Sequence, residues 1–196
     1  MKPLLFSLFL FMHFNTNAQK LNYTDSLKKF QQDYIHTHEV VKKVDWKYFK
    51  FFPVNKKYRV LAAFEKIDDP KGFIMKTSGT KTPQYFKYGI LTFTLDNKVL
   101  HLTVYQSQQL KKDDQYKDYL FVPFTDLTSG DKSYGAGKYL DFVMNDIKNN
   151  TLLIDFNKAY NPYCAYATGY NCPIPPAEND LSIAIKAGEM SFGKSH

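Results

Sequence analysis

The chain has 196 residues, with 26 Lys+Arg against 19 Asp+Glu for a formal net charge of +7, and only two cysteines. Its 17 phenylalanines and 15 tyrosines can fill one sizeable core and dress part of a surface. The basic excess is spread as lysine pairs and Arg59 is the lone arginine, which argues against a nucleic-acid reader built on bidentate arginine contacts and for plain solubility.

Residues 1–19 read as an export signal. Lys2 gives a positive start, residues 4–14 are an almost unbroken apolar run, and Asn17-Ala18-Gln19 offers a small residue for cleavage. That run is too short to span a bilayer, which takes roughly twenty residues; the alternative is a short retained anchor. No cysteine follows it to carry a lipid, and no later segment is apolar enough to cross a membrane. The expectation is a mature chain of residues 20–196, one globular domain, in the periplasm or secreted.

Thr24 or Asp25 can cap a helix whose apolar positions Leu27, Phe30, Tyr34 and Val41 share one face, so the spacing predicts a helix ending near Asp45. His36 and His38, two apart, point to different helix faces and do not suggest a shared metal. From Tyr58 the period changes to two. Strands are expected at 58–65, 73–77, 85–95, 99–105, 119–124, 138–144, 151–156 and 181–186, with Asp96-Asn97-Lys98 turning a hairpin. Short turns between them predict a mainly β fold: an antiparallel β-barrel or β-sandwich of about eight strands with one N-terminal helix.

The densest stretch is 155–179, DFNKAYNPYCAYATGYNCPIPPAEN, which carries Cys164, Cys172 and Pro162, Pro173, Pro175 and Pro176. Proline fixes φ and removes a donor, so PIPP continues neither helix nor central strand, and a rigid C-terminal loop beside the scaffold is expected. Cysteines eight apart in an exported chain favour a disulfide, with a reactive thiol or a metal pair as alternatives; no matching histidines lie nearby for zinc. A second polar stretch, 124–139, holds Gly130, Gly135 and Gly137 but lacks the spacing of a dinucleotide loop.

The strings FTDLTSGDKSYGAGKYLD, DFNKAYNPYCAY, CPIPPAEN and IKAGE, with Phe52-Pro53 and the segment GILTF, resemble the bacterial domain of unknown function 1684 family over most of the mature chain. The resemblance implies no particular reaction. It singles out Asp126, Ser129, Tyr134, Lys138, Asp155, Asn157, Tyr160, Asn161, Cys164, Cys172, Glu178, Asn179 and Glu189. Lys138 departs from the family pattern, where arginine is more usual. The candidate ligand site is drawn from these and Tyr139: Asp126, Tyr134, Lys138, Tyr139 and Asp155 with Asn157, Tyr160, Asn161, Glu178 and Asn179. For each, an architectural role competes. Asp126 and Ser129 can close a turn, Lys138 can pair with Asp155 or Glu178, and Glu189 can cap a strand end.

Three functions follow as expectations. The first is a non-catalytic module binding a small molecule or cell-envelope component in an aromatic-lined pocket. The second is a hydrolase, with Asp155 and Glu178 as acid and base and Lys138 and Tyr139 steadying negative charge. The third is an interaction protein docking through Tyr163, Tyr166 and Tyr170. The first is preferred. No cofactor, metal or nucleic-acid partner is called for.

Overall fold

The computed structural model describes residues 22–194; the expected export signal lies outside the described residues. Helix α1 spans Tyr23–Thr37, with Asn22 as its N-cap accepting the Asp25 amide at 3.0 Å. The expected helix to Asp45 is corrected here. At His38 the backbone turns extended, and the His38 ring nitrogen Nδ1 accepts the amides of Val40 and Val41 at 3.3 and 3.0 Å. A side chain that captures the next backbone donors removes them from the helix ladder. Val41 is buried after this turn rather than on the helix face, and a 3₁₀ turn follows at Lys43–Tyr48.

Eight strands make one sheet: β1 Arg59–Lys66, β2 Phe73–Ile74, β3 Gln84–Leu95, β4 Lys98–Ser107, β5 Tyr119–Asp126, β6 Lys138–Val143, β7 Thr151–Asp155 and β8 Asp180–Leu181. Six run in the order β6-β5-β4-β3-β1-β7, all antiparallel, curling into a half-barrel that leaves β6 and β7 as its ends; β2 adds to β3 and β8 to β5. The longest pairing, β3 with β4, is closed by Asp96 and Asn97, both at positive φ (53° and 59°), the two-residue turn whose twist suits a hairpin. Lys98 belongs to the strand, not to the turn.

The concave side holds the main core, including Ala62, Leu91, Leu102, Leu120, Phe124, Leu152, Ile154 and Phe156. Alternation along β6 sends Lys138 and Leu140 inward, and Tyr139 and Asp141 to the convex side. There a second cluster forms from Met75, Tyr105, Phe121 and Tyr139, flanked by Phe73, Tyr85, Tyr119 and Tyr160. A third packs the end of α1 against the loop through Val41, Phe49, Ala165 and Tyr166.

The strand expected at 181–186 shortens to Asp180–Leu181, and its pairing with β5 is parallel. Beyond it the chain bends, and the Ala187 amide turns back to Ile185 O at 2.9 Å, yet Ile183, Ile185 and Ala187 are buried in alternation. Its ladder is interrupted because the Asp126 carboxylate, not a backbone carbonyl, accepts the Ile185 amide at 3.1 Å.

Candidate functional site

The loop at 155–179 is strapped to the sheet along its length. The Ser78 amide donates to Cys172 O at 2.9 Å and the Ile174 amide to Lys76 O at 2.8 Å, with Thr77 bridged to Pro173. Cys164 and Cys172 stand at disulfide distance, their Cα atoms 6.3 Å apart, closing the loop on itself. The Tyr139 hydroxyl donates to Pro173 O. The segment therefore lies on the sheet as a fixed flap.

Most of the polar residues singled out in the sequence work inside the protein. Lys138 and Asp126 form an ion pair at 3.2 Å with both side chains at 0% exposure. The Lys138 ammonium also donates to the carbonyls of Ile185 and Ala187, so it ties β5 and β6 to the tail. Desolvation drags its pKa down, against the pull of Asp126. Asp126 Oδ1 accepts the Thr128 amide at 2.7 Å and Ser129 Oγ accepts the Asp126 amide, so the expected turn through side-chain-to-backbone bonds is there. Asn157 clasps both backbone groups of Asn55, and the Asn161 amide donates to the Glu189 carboxylate at 3.0 Å. Glu189 is fully buried and caps no strand end; it accepts the hydroxyls of Tyr166 and Tyr34. Burial pushes its pKa up to about 7 despite those donors. Tyr134 reaches across to donate to Cys164 O at 3.3 Å.

The acid–base group of Asp155, Glu178 and Lys138 does not assemble. Lys138 is sealed in the core with Asp126. Asp155 accepts the Tyr23 hydroxyl under α1, and Glu178 pairs with Lys87 at 2.8 Å on the convex side. The expected pairing of Lys138 with Asp155 or Glu178 is replaced by Asp126 because inward-facing positions of neighbouring strands β5 and β6 meet across the core. Tyr139, its hydroxyl committed to Pro173, has no free donor for a developing anion. Of the three tyrosines expected in a docking patch, Tyr166 is buried, whereas Tyr163 and Tyr170 are 37% and 38% exposed and meet edge to face.

What the flap does build is a cleft of about 840 Å³. Ile174, Pro175, Pro176, Ala177 and Glu178 make one wall; Ile67, Asp68, Asp69, Gly72, Phe73, Ile74, Lys76 and Lys87 make the rest. Asp69 is fixed by the amides of Lys87 and Gly72, each at 2.9 Å, which hold its carboxyl below the usual range. Burial would raise Glu178, but Lys87, its own amide and the Tyr105 hydroxyl bring it below the usual range. The cleft thus presents an apolar floor with fixed charges of both signs. Of the residues singled out beforehand it uses only Glu178. Lys87 and Asp69 were missed, since neither stands in the dense motifs and only the register of β3 brings Lys87 to the flap. A group of three or more His, Cys, Asp or Glu able to hold a metal does not occur among the described residues. Nor, among them, is any helix long and apolar enough to cross a membrane.

No curated protein matches the chain. The fold is similar to the solution NMR structure of an uncharacterized protein from gene locus rrnAC0354 of Haloarcula marismortui, at 28% identity and a TM-score of 0.64, covering 85% of this chain and 92% of that one. The same sheet and loop signature run through residues 45–190, which match the model of the protein family of unknown function DUF1684, and the chain belongs to that family.

Proposed function

We propose that this is an exported, non-catalytic binding protein that holds a small molecule or cell-envelope component in the cleft walled by the flap. The observation that carries the reading is the cleft itself, whose volume falls within the roughly 300–1,000 Å³ usual for small-molecule sites, with a mostly apolar lining and a few fixed polar groups. A wall held by buried side chains and a short cysteine loop is set before a ligand arrives, which lowers the ordering cost of binding. Export is supported by the apolar leader at 4–14 and by a cysteine pair of the kind that persists in oxidising compartments.

The test is native mass spectrometry of the protein recovered from the envelope and medium of its own host. Ile74 and Ile174, 55% and 39% exposed, both line the cleft and contribute little to the core. Wild type is expected to carry a co-purifying compound that Ile74→Glu with Ile174→Glu loses while its melting temperature holds. A double variant that retains the same compound, or a wild-type protein that carries none, would overturn the reading.

A further inference from the structure

On the convex face, away from the cleft, Asp141 is solvent-accessible and makes no ion pair among the described residues. Its two oxygens instead accept hydroxyls from Tyr119 and, at 2.7 Å, Tyr160. Aromatic rings crowd around it. Tyr139 meets Tyr160 at 5.8 Å and 89°, and Phe121 meets Tyr139 at 4.7 Å and 77°, so the rings stand as walls at right angles rather than as a closed stack. Although the residue is solvent-accessible, desolvation of its carboxyl pushes the Asp141 pKa up, against the two phenol donors.

Tyr160 separates two recesses. One, of about 450 Å³, runs between the end strands β6 and β7 and is lined by Asp141, Tyr160, Phe142 and Phe30 among others. The other, of about 260 Å³, lies under the flap and is lined by Tyr139, Tyr160, Pro162, Tyr163, Tyr170 and Pro173 among others. Of the two cations lining the first recess, Lys158 lies over Phe30 of that recess at 5.5 Å and Arg59 over Tyr23 at 5.7 Å. Asp155 in that recess is likewise occupied by Tyr23, and Asp146 by the Val143 amide. Among these carboxylates Asp141 is held by phenol hydroxyls alone, whereas Asp155 also accepts from Asn157.

From this arrangement we propose that Asp141 with Tyr119, Tyr139 and Tyr160 forms a binding site for an organic cation, an alkyl- or quaternary ammonium group, with the ligand's apolar part in the recess beside Tyr160. A fixed carboxylate and the negative faces of aromatic rings reward the same ligand charge, and both oppose an anion. A hard metal ion gains little here, because one carboxylate and neutral phenols do not supply its six or more oxygens. The recess that Asp141 lines shares no lining residue with the flap cleft, so either can fail without the other.

The experiment is a titration with choline, followed by NMR of protein carrying ¹³C-labelled tyrosine rings, beside its uncharged isostere 3,3-dimethylbutan-1-ol. Choline is expected to shift the ring signals of Tyr119, Tyr139 and Tyr160 saturably, and the isostere to bind at least tenfold more weakly. Asp141→Asn is expected to lose at least tenfold in choline affinity, while Ile74→Glu with Ile174→Glu binds as wild type. The proposal fails if choline gives no saturable shift or if the isostere binds as well. It fails too if a folded Asp141→Asn protein binds choline unchanged. The choline and isostere comparison uses wild type alone, so it decides the matter even where the variant does not fold.

Discussion

Asn179 fills a gap that Pro123 leaves in the sheet. Pro123 sits in the middle of β5 without an N–H, and its carbonyl faces the side on which Thr103 of β4 waits unpaired by strand β5. The Asn179 side chain enters between them, donating to Pro123 O at 2.7 Å and Thr103 O at 2.9 Å and accepting the Thr103 amide at 2.7 Å. A residue of the flap thus acts as a rung of the ladder, immediately after the prolines that wall the cleft. Asn179→Ala leaves these buried backbone groups unsatisfied, each costing roughly 1–3 kcal/mol. The expected outcome in urea unfolding is a loss of at least about 2 kcal/mol; a loss under about 0.5 kcal/mol would show that the rung matters little.

The ion pair of Lys138 with Asp126 is the other deep fastening. Lys138→Met keeps the volume but strands the Asp126 carboxylate, and breaking one half of a buried pair typically costs about 3–5 kcal/mol. Because Lys138 is fully buried, the variant is expected to unfold far below wild type. A melting curve superimposable on wild type would mean the pair is dispensable.

Glu189 sets a pH signature. Its folded pKa, pushed up to about 7 by burial, exceeds its unfolded value of about 4.5, so the folded state binds more protons in between. The stability it contributes is complete below about 4.5 and drains away as pH rises through about 7. His38 works in the opposite sense: burial holds its pKa at about 4, so its contribution is lost as pH falls through that value. The readout is therefore a difference. Between pH 4.5 and 7.5 the melting temperature of wild type is expected to fall relative to that of Glu189→Gln. Parallel curves would rule out a titrating Glu189.

Joining Cys164 to Cys172 restrains a loop of eight-residue separation. On the loop-entropy scale, removing such a link with Cys164→Ser and Cys172→Ser costs about 2–3 kcal/mol. The expected outcome is a lower melting temperature that wild type matches only under reducing conditions. If reductant leaves wild type unchanged, the pair is not linked in solution or does not affect stability.

The strands were legible because their side chains obey the period of two and because Asp96-Asn97 suits one kind of turn. The helix overran since Val41 happens to fall on the right spacing, and nothing local shows that the His38 ring captures the next amides. In β6 Lys138 shares the core side with Leu140, and Asp141 shares the other side with Tyr139, so the candidate site that grouped Lys138 with Tyr139 is split between two faces. The charge of Lys138 and its glycine neighbours point to an exposed site, whereas its place on the inner face of β6 buries it. The partners themselves are set by strand register: Lys138 meets Asp126 only because Phe124 pairs with Lys138 across β5 and β6. Glu178 meets Lys87 because the flap lies on β4, where Tyr105 donates to Glu178 beside Lys87 of β3, a contact between residues far apart in sequence that no motif spells out.

Amide hydrogen exchange tests most directly whether the flap is a fixed wall. The amides of Ile174 and Glu189 each donate at 2.8 Å to a carbonyl distant in sequence, and that of Asn179 donates at 2.8 Å to Pro176 O in the 3₁₀ turn Ala177–Asn179. They are expected to exchange nearly as slowly as those of Leu91 and Leu102 in the core strands, and Asn179→Ala is expected to speed the first two selectively. Exchange of Ile174 and Asn179 in wild type at the rate of an open chain would contradict a preformed cleft.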